Sequence, residues 1–146
     1  INKALSYHNK SEKMGSNKKD APAQSFYTKE FNVETVPAID FPTLFEEYKI
    51  DHIDLLKIDV EGAEYLILLS DGFKKVSDKI DYIIGEAHFA NEATPDLIPT
   101  ILKEHGFKTE FLPIVNFKHG ITFTDPYTGF TKQAYNNYQT LFFAHK

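Results

Sequence analysis

Three carboxylates fall within six residues in Ile58-Asp-Val-Glu-Gly-Ala-Glu64: Asp59, Glu61 and Glu64, gathered around Gly62. Lys57 stands two residues before Asp59, so along an extended chain the two share a face. A second constellation repeats that spacing, with Glu86 and His88 closing the run Tyr82-Ile-Ile-Gly-Glu-Ala-His88. Carboxylates can cap helices, hold hydroxyl groups or bind hard cations. An imidazole with an ordinary pKa of about 6.5 is suited to drawing a proton from a hydroxyl. The chemistry on offer is therefore acid–base work on an oxygen nucleophile. Asp59 also has a plainer reading, as a capping acid stabilised by the dipole of a following helix, and Glu61 and Glu64 fit the same argument. Lys57, set in an apolar strand, needs a carboxylate partner, and ion pairing is its favoured role. Asp59, Glu61 and Glu86 offer the oxygen ligands that Mg²⁺ takes. Acids at helix starts are ordinarily just solvated, so no metal is assigned. The remaining histidines, at 8, 52, 105, 119 and 145, make no constellation.

The elements that must position these groups can be read from pattern. Ile53, Leu55, Leu56, Ile58 and Val60 make a near-continuous apolar run, expected to be a strand buried on both faces. Its acids would then lie at the carboxyl end, where open α/β sheets hold ligands. Tyr65 to Leu69 reads as the packed side of a helix, with Asp71-Gly72 as its stop signal and Phe73 to Lys79 as a second amphipathic turn. Tyr82 to His88 is a second buried strand beside the first.

Upstream, Ile1 to Tyr7 is a short strand, and His8 to Gln24 is polar enough to be a loop. Phe31 to Val36 alternates in period two and reads as a strand. Asp40 caps a short helix with Pro42 in its first turn. Downstream, Thr94-Pro95 opens a helix to about His105, with Gly106 as its exit. Pro99 would shift that helix's start or bend it. Phe107 to Ile114 and Leu141 to Ala144 are strands. Between them an aromatic-rich insertion near 113–138 is either a substrate lid or a loop covering core. The order is that of one α/β layered domain over 1–146.

Composition narrows the class. The 146 residues suffice for one core. The chain has no cysteine, hence no disulfide or thiolate chemistry. A net charge of −5 argues against a nucleic-acid binder. All sixteen basic residues are lysines, so the bidentate phosphate fork of arginine is missing. No apolar run reaches the ~18 residues that span a bilayer, and no membrane partner is expected. A cytoplasmic location is the expectation.

Ile53-Asp-Leu-Leu-Lys-Ile-Asp-Val-Glu-Gly-Ala-Glu64 resembles the signature of FkbM-type methyltransferases. Asn2 to Ser6, Phe41 to Tyr48, Ile80 to His88 with its Glu-x-His ending, and Leu102 to Phe107 resemble further segments of that family. The resemblance covers most of residues 31–109 and fades beyond about 113.

It implies a Rossmann-like class I sheet with helices on both faces, using S-adenosylmethionine to methylate a hydroxyl of a small molecule or sugar. Asp59, Glu61 and Glu86 would line the cofactor site. Asp59, His88 and Lys57 would serve the chemistry. The family's glycine-rich cofactor turn has no counterpart, since none of the seven glycines forms a Gly-x-Gly. The expectation is a domain truncated at its N-terminus, with an incomplete cofactor site and weak cofactor binding. The family's strands run third, second, first, fourth, fifth, seventh, sixth across the sheet. Loss of the first two would expose an edge of the Ile53–Val60 strand. That edge would pair with a second copy or be covered by the refolded N-terminus. The alternative function is a non-catalytic fragment or partner domain that associates through this edge.

Overall fold

The computed structural model describes residues 1–16, 31–88, 93–111 and 139–146. The expected insertion near 113–138 lies outside them, as does the 17–24 part of the expected loop.

The described strands form two sheets. The first holds β1 (Ala4–Leu5), β2 (Ser11–Ser16) and β3 (Phe31–Ile39) in the order β1-β3-β2, with β1 parallel and β2 antiparallel to β3. The second holds β4 (Ile53–Ile58), β5 (Ile80–His88), β6 (Lys108–Phe111) and β7 (Gln139–His145) in the order β4-β5-β7-β6. Here β4 and β5 are parallel, while β7 runs antiparallel to both β5 and β6. The helices are α1 (Phe41–Tyr48), α2 (Glu64–Leu68), α3 (Asp71–Val76) and α4 (Leu97–Glu104). The molecule is a mixed α/β fold with two mixed sheets.

Local chemistry explains most boundaries. The Asp40 carboxylate accepts from the Thr43 amide at 3.0 Å and caps α1, with Pro42 in the first turn as expected. Helix α2 ends at Leu68, but Asp71-Gly72 is no stop signal. Ser70 caps α3 by accepting from the Phe73 amide at 3.0 Å, so Asp71 and Gly72 form the first turn of the next helix. A side chain on Gly72 would meet Pro42 Cδ at 3.1 Å, which lets α3 lie close against α1. Pro99 is the third residue of α4, where its missing N–H had no intrahelical partner to lose. The helix starts after Thr94-Pro95 for that reason.

The core joins both ends of the chain. Phe41 packs tilted against Phe73 with ring centroids 5.5 Å apart, and Phe73 meets His105 edge-on at 5.0 Å, tying α1, α3 and the end of α4 together. Ile58, Ile83, Phe142 and Ala144 of the second sheet form one cluster with Ile67, Leu68, Ile98 and Leu102 of the helices. Gly85 sits in the middle of that sheet. A Cβ there would lie 2.6 Å from Ile58 O and 2.7 Å from Phe142 Cε1, so only glycine fits between β4 and β7.

Two expectations are corrected. Residues 11–16, expected as loop, form β2. The sequence Ser-Glu-Lys-Met-Gly-Ser carries no apolar alternation because the strand is held by backbone pairing to β3. The β4 strand is not buried on both faces. Ile58 is buried, yet Leu55 is 57% exposed. The reason is position: among the described residues β4 is the edge of its sheet and pairs with β5 alone. The N-terminal strands do not pair with it.

Candidate functional site

Parallel pairing with Ile58 opposite Gly85 puts the carboxyl ends of β4 and β5 side by side. Beyond Ile58 the chain passes Asp59 and Val60, then reverses in a tight turn closed by the Ala63 amide on the Val60 carbonyl at 3.2 Å. Both central residues have positive φ, 52° at Glu61 and 101° at Gly62. Glycine tolerates this freely, whereas a glutamate pays about 1–2 kcal/mol for the left-handed conformation. Such strain persists where the surroundings over-determine it, most often at functional sites.

Glu64, the first residue of α2, is completely buried. Its Oε1 accepts from the Val60 amide at 3.1 Å, from the Gly62 amide at 3.3 Å, and lies 2.9 Å from His88 Nδ1. An oxygen already accepting two amide protons must accept the third bond as well, so Nδ1 carries the imidazole proton. Nε2 then points away from Glu64. It lies 3.7 Å from Glu61 Oε2 and 3.9 Å from Glu86 Oε2. The Tyr65 hydroxyl donates to the His88 carbonyl at 2.7 Å and fixes the strand end from below. Burial alone would push the His88 imidazole down. The Glu64 hydrogen bond and the charges of Glu64, Glu61 and Asp59 outweigh it and hold the ring above its ordinary value.

Lys57 Nζ donates to Asp59 Oδ2 at 2.9 Å, the ion pair expected from their spacing. The hydrogen bond to Asp59 is the main cause of the raised Lys57 pKa, and the charge of Glu86 adds to it. The lysine side chain is 68% exposed, so it is not the buried strand lysine that the apolar run suggested. The Asp59 side chain is 30% exposed and that of Glu61 42%.

The five nominated residues therefore stand at one end of β4 and β5. Glu61, Glu86 and His88 face one another, and Asp59 joins them with Lys57 on its outer side. The sequence alone gives Glu64 only the role of an acid at a helix dipole. An acid at the first position of a helix gives no local signal that a strand sixteen residues further on will bring His88 to it.

The methyltransferase FkbM domain matches residues 3–109. The chain belongs to the FkbM methyltransferase family. No curated protein and no solved structure matches it. The FkbM match spans β1 through the first half of β6 and so contains every residue of the cluster just described. Asp59, Glu61 and Glu64 of this FkbM domain are thus brought to Glu86 and His88 by strand pairing and by one strained turn. Among the described residues no helix is long and apolar enough to cross a membrane.

Proposed function

We propose that this domain works as an S-adenosylmethionine-dependent methyltransferase on a hydroxyl of a small molecule or sugar. One observation carries the reading. In a chain of this family, a histidine locked by a buried glutamate turns its Nε2 toward the carboxylates of Glu61 and Glu86 at the carboxyl ends of two parallel strands. The order β4-β5-β7-β6, with β7 antiparallel, supports a Rossmann-like class I sheet around them.

Asp59, Glu61 and Glu86 line the cofactor and acceptor site in this reading, and Lys57 steadies Asp59. The acceptor oxygen attacks the sulfonium methyl carbon as the carbon–sulfur electron pair returns to sulfur. Loss of the hydroxyl proton falls to the His88 end of the cluster. The protein's part is positioning and deprotonation.

The test is transfer of labelled methyl from S-adenosylmethionine to a panel of hydroxyl acceptors. The donor is supplied at millimolar concentration because the chain has no Gly-x-Gly turn. Asp59→Asn should lower kcat about 10²-fold. An unchanged rate in that variant, or product methylated on nitrogen or carbon, would overturn the reading. A second reading, a non-catalytic domain that associates through an exposed strand edge, is favoured by the side of β4 that pairs with no other strand among the described residues. Failure of transfer with every acceptor would support it.

A further inference from the structure

We propose that Asp59, Glu61 and His88 form a binding site for a divalent transition-metal ion of the Mn²⁺ or Zn²⁺ type. One ligand atom from each of the three lies within 4.8 Å of the others. Two donors each about 2.1 Å from one ion stand at most about 4.2 Å apart, so small side-chain rotations close the set.

The histidine is already built as a ligand. Its side chain is nine-tenths buried, and Nε2 has its carboxylate neighbours at 3.7 and 3.9 Å, beyond hydrogen-bond reach. Glu64 on Nδ1 completes the carboxylate–histidine–metal arrangement that fixes the tautomer and raises ligand basicity. Glu64 Oε2 is buried with no hydrogen-bond partner among the described residues.

Charge points the same way. Four carboxylates, Asp59, Glu61, Glu64 and Glu86, surround this point, and the Lys57 ammonium on Asp59 is mostly solvated and free to swing aside. The mixed nitrogen and oxygen donors suit a first-row transition ion better than Mg²⁺. His52, Asp54 and Asp81, at the other end of the same strands, also converge. They lack a buried ligand and a supporting acid, and Asp54 is 96% exposed. They serve as the control.

Binding of the ion stands apart from the methyl-transfer reading; its use rests on that reading. There the ion would replace His88 in the deprotonation: it would take the acceptor hydroxyl and lower its pKa, the proton leaving to solvent and the oxygen keeping its electron pair for the methyl carbon. His88 would act as a ligand in that step.

The experiment uses the whole chain, stripped with chelator, with neither donor nor acceptor present. Mn²⁺ binding is followed by electron paramagnetic resonance, with pulsed detection of coupling to an imidazole nitrogen, and Zn²⁺ binding by calorimetry. Saturable one-site binding with nitrogen coupling is expected. Asp59→Asn and Glu61→Gln should each weaken it about ten-fold or more, and Asp54→Asn should leave it unchanged. Glu64→Gln, which keeps the shape of the buried side chain, should weaken it about ten-fold. No saturable binding, no nitrogen coupling, or loss of binding only in Asp54→Asn would overturn the proposal. Because no methyl transfer is measured, its failure and that of the enzymatic reading are separate results.

Discussion

Glu64 decides the geometry at the level of single residues. Its Oε1 gathers two amides and the His88 ring, and each would be left unsatisfied in a buried place if the carboxylate were removed. Glu64→Ala should therefore cost about 3 kcal/mol, the scale for breaking a buried pair by deleting one partner, read as a lower urea midpoint. Glu64→Gln keeps an acceptor oxygen for the amides and removes the charge. The ring should then titrate at lower pH than in the unaltered chain, followed by the His88 signals in NMR. An unmoved His88 titration would mean that Glu64 is not what raises it. The sequence carried the acids and the histidine openly, since Asp59, Glu61, Glu86 and His88 stand in two short runs at matched strand ends. Their mutual orientation was not legible. It depends on a left-handed glutamate and on a contact between residues 64 and 88, neither of which leaves a local signature.

At the level of elements, polarity patterns worked where apolar residues fill the inward positions and failed where polar ones do. The Phe31–Val36 part of β3, α1, β5 and α4 were readable because apolar positions recur at the period of the element. The polar β2 was not, because its less exposed positions carry Glu12 and Met14 rather than a recurring apolar set. Capping chemistry was the most legible signal, and Asp40 is the clearest case. Partial burial alone would raise its pKa, but the hydrogen bonds from Thr43 and Asn9 and the charge of Lys75 lower it. The sign follows. A carboxyl whose folded pKa lies below the unfolded one adds stability above the unfolded value, near pH 4, and that stability is lost as pH falls through the folded value. Asp40→Ala should cost about 1 kcal/mol at neutral pH, the usual worth of a cap. Asp40→Asn should keep most of the cap and flatten the acid limb of a plot of stability against pH. Thermal melts between pH 2 and 7 check both, and an acid limb identical in Asp40→Asn and the parent would remove Asp40 from the argument.

For the whole molecule, the apolar run of β4 misled because hydrophobicity alone cannot say what covers a strand. Ile58 packs into the core, while Leu55 on the same strand looks outward at the unpaired edge. On the neighbouring β5, Tyr82 is also exposed and stacks on Phe143 at 5.8 Å, so apolar surface continues from the edge across one face of the sheet. A strand that stands at the sheet edge among the described residues and carries an outward leucine is a template for pairing with another chain. The chain should therefore associate as its concentration rises, with light scattering reporting a mass above that of one copy. Leu55→Lys places a charge on the edge without touching the core or the Asp59 cluster, and natural edges are commonly protected in this way. It should return the chain to the mass of a single copy while metal binding and methyl transfer, where present, stay at the parent level. If the parent is already a single copy at every concentration, the edge does not pair and the associative reading of this domain falls. If Leu55→Lys abolishes association and methyl transfer together, then pairing across β4 completes the site rather than merely covering an exposed strand.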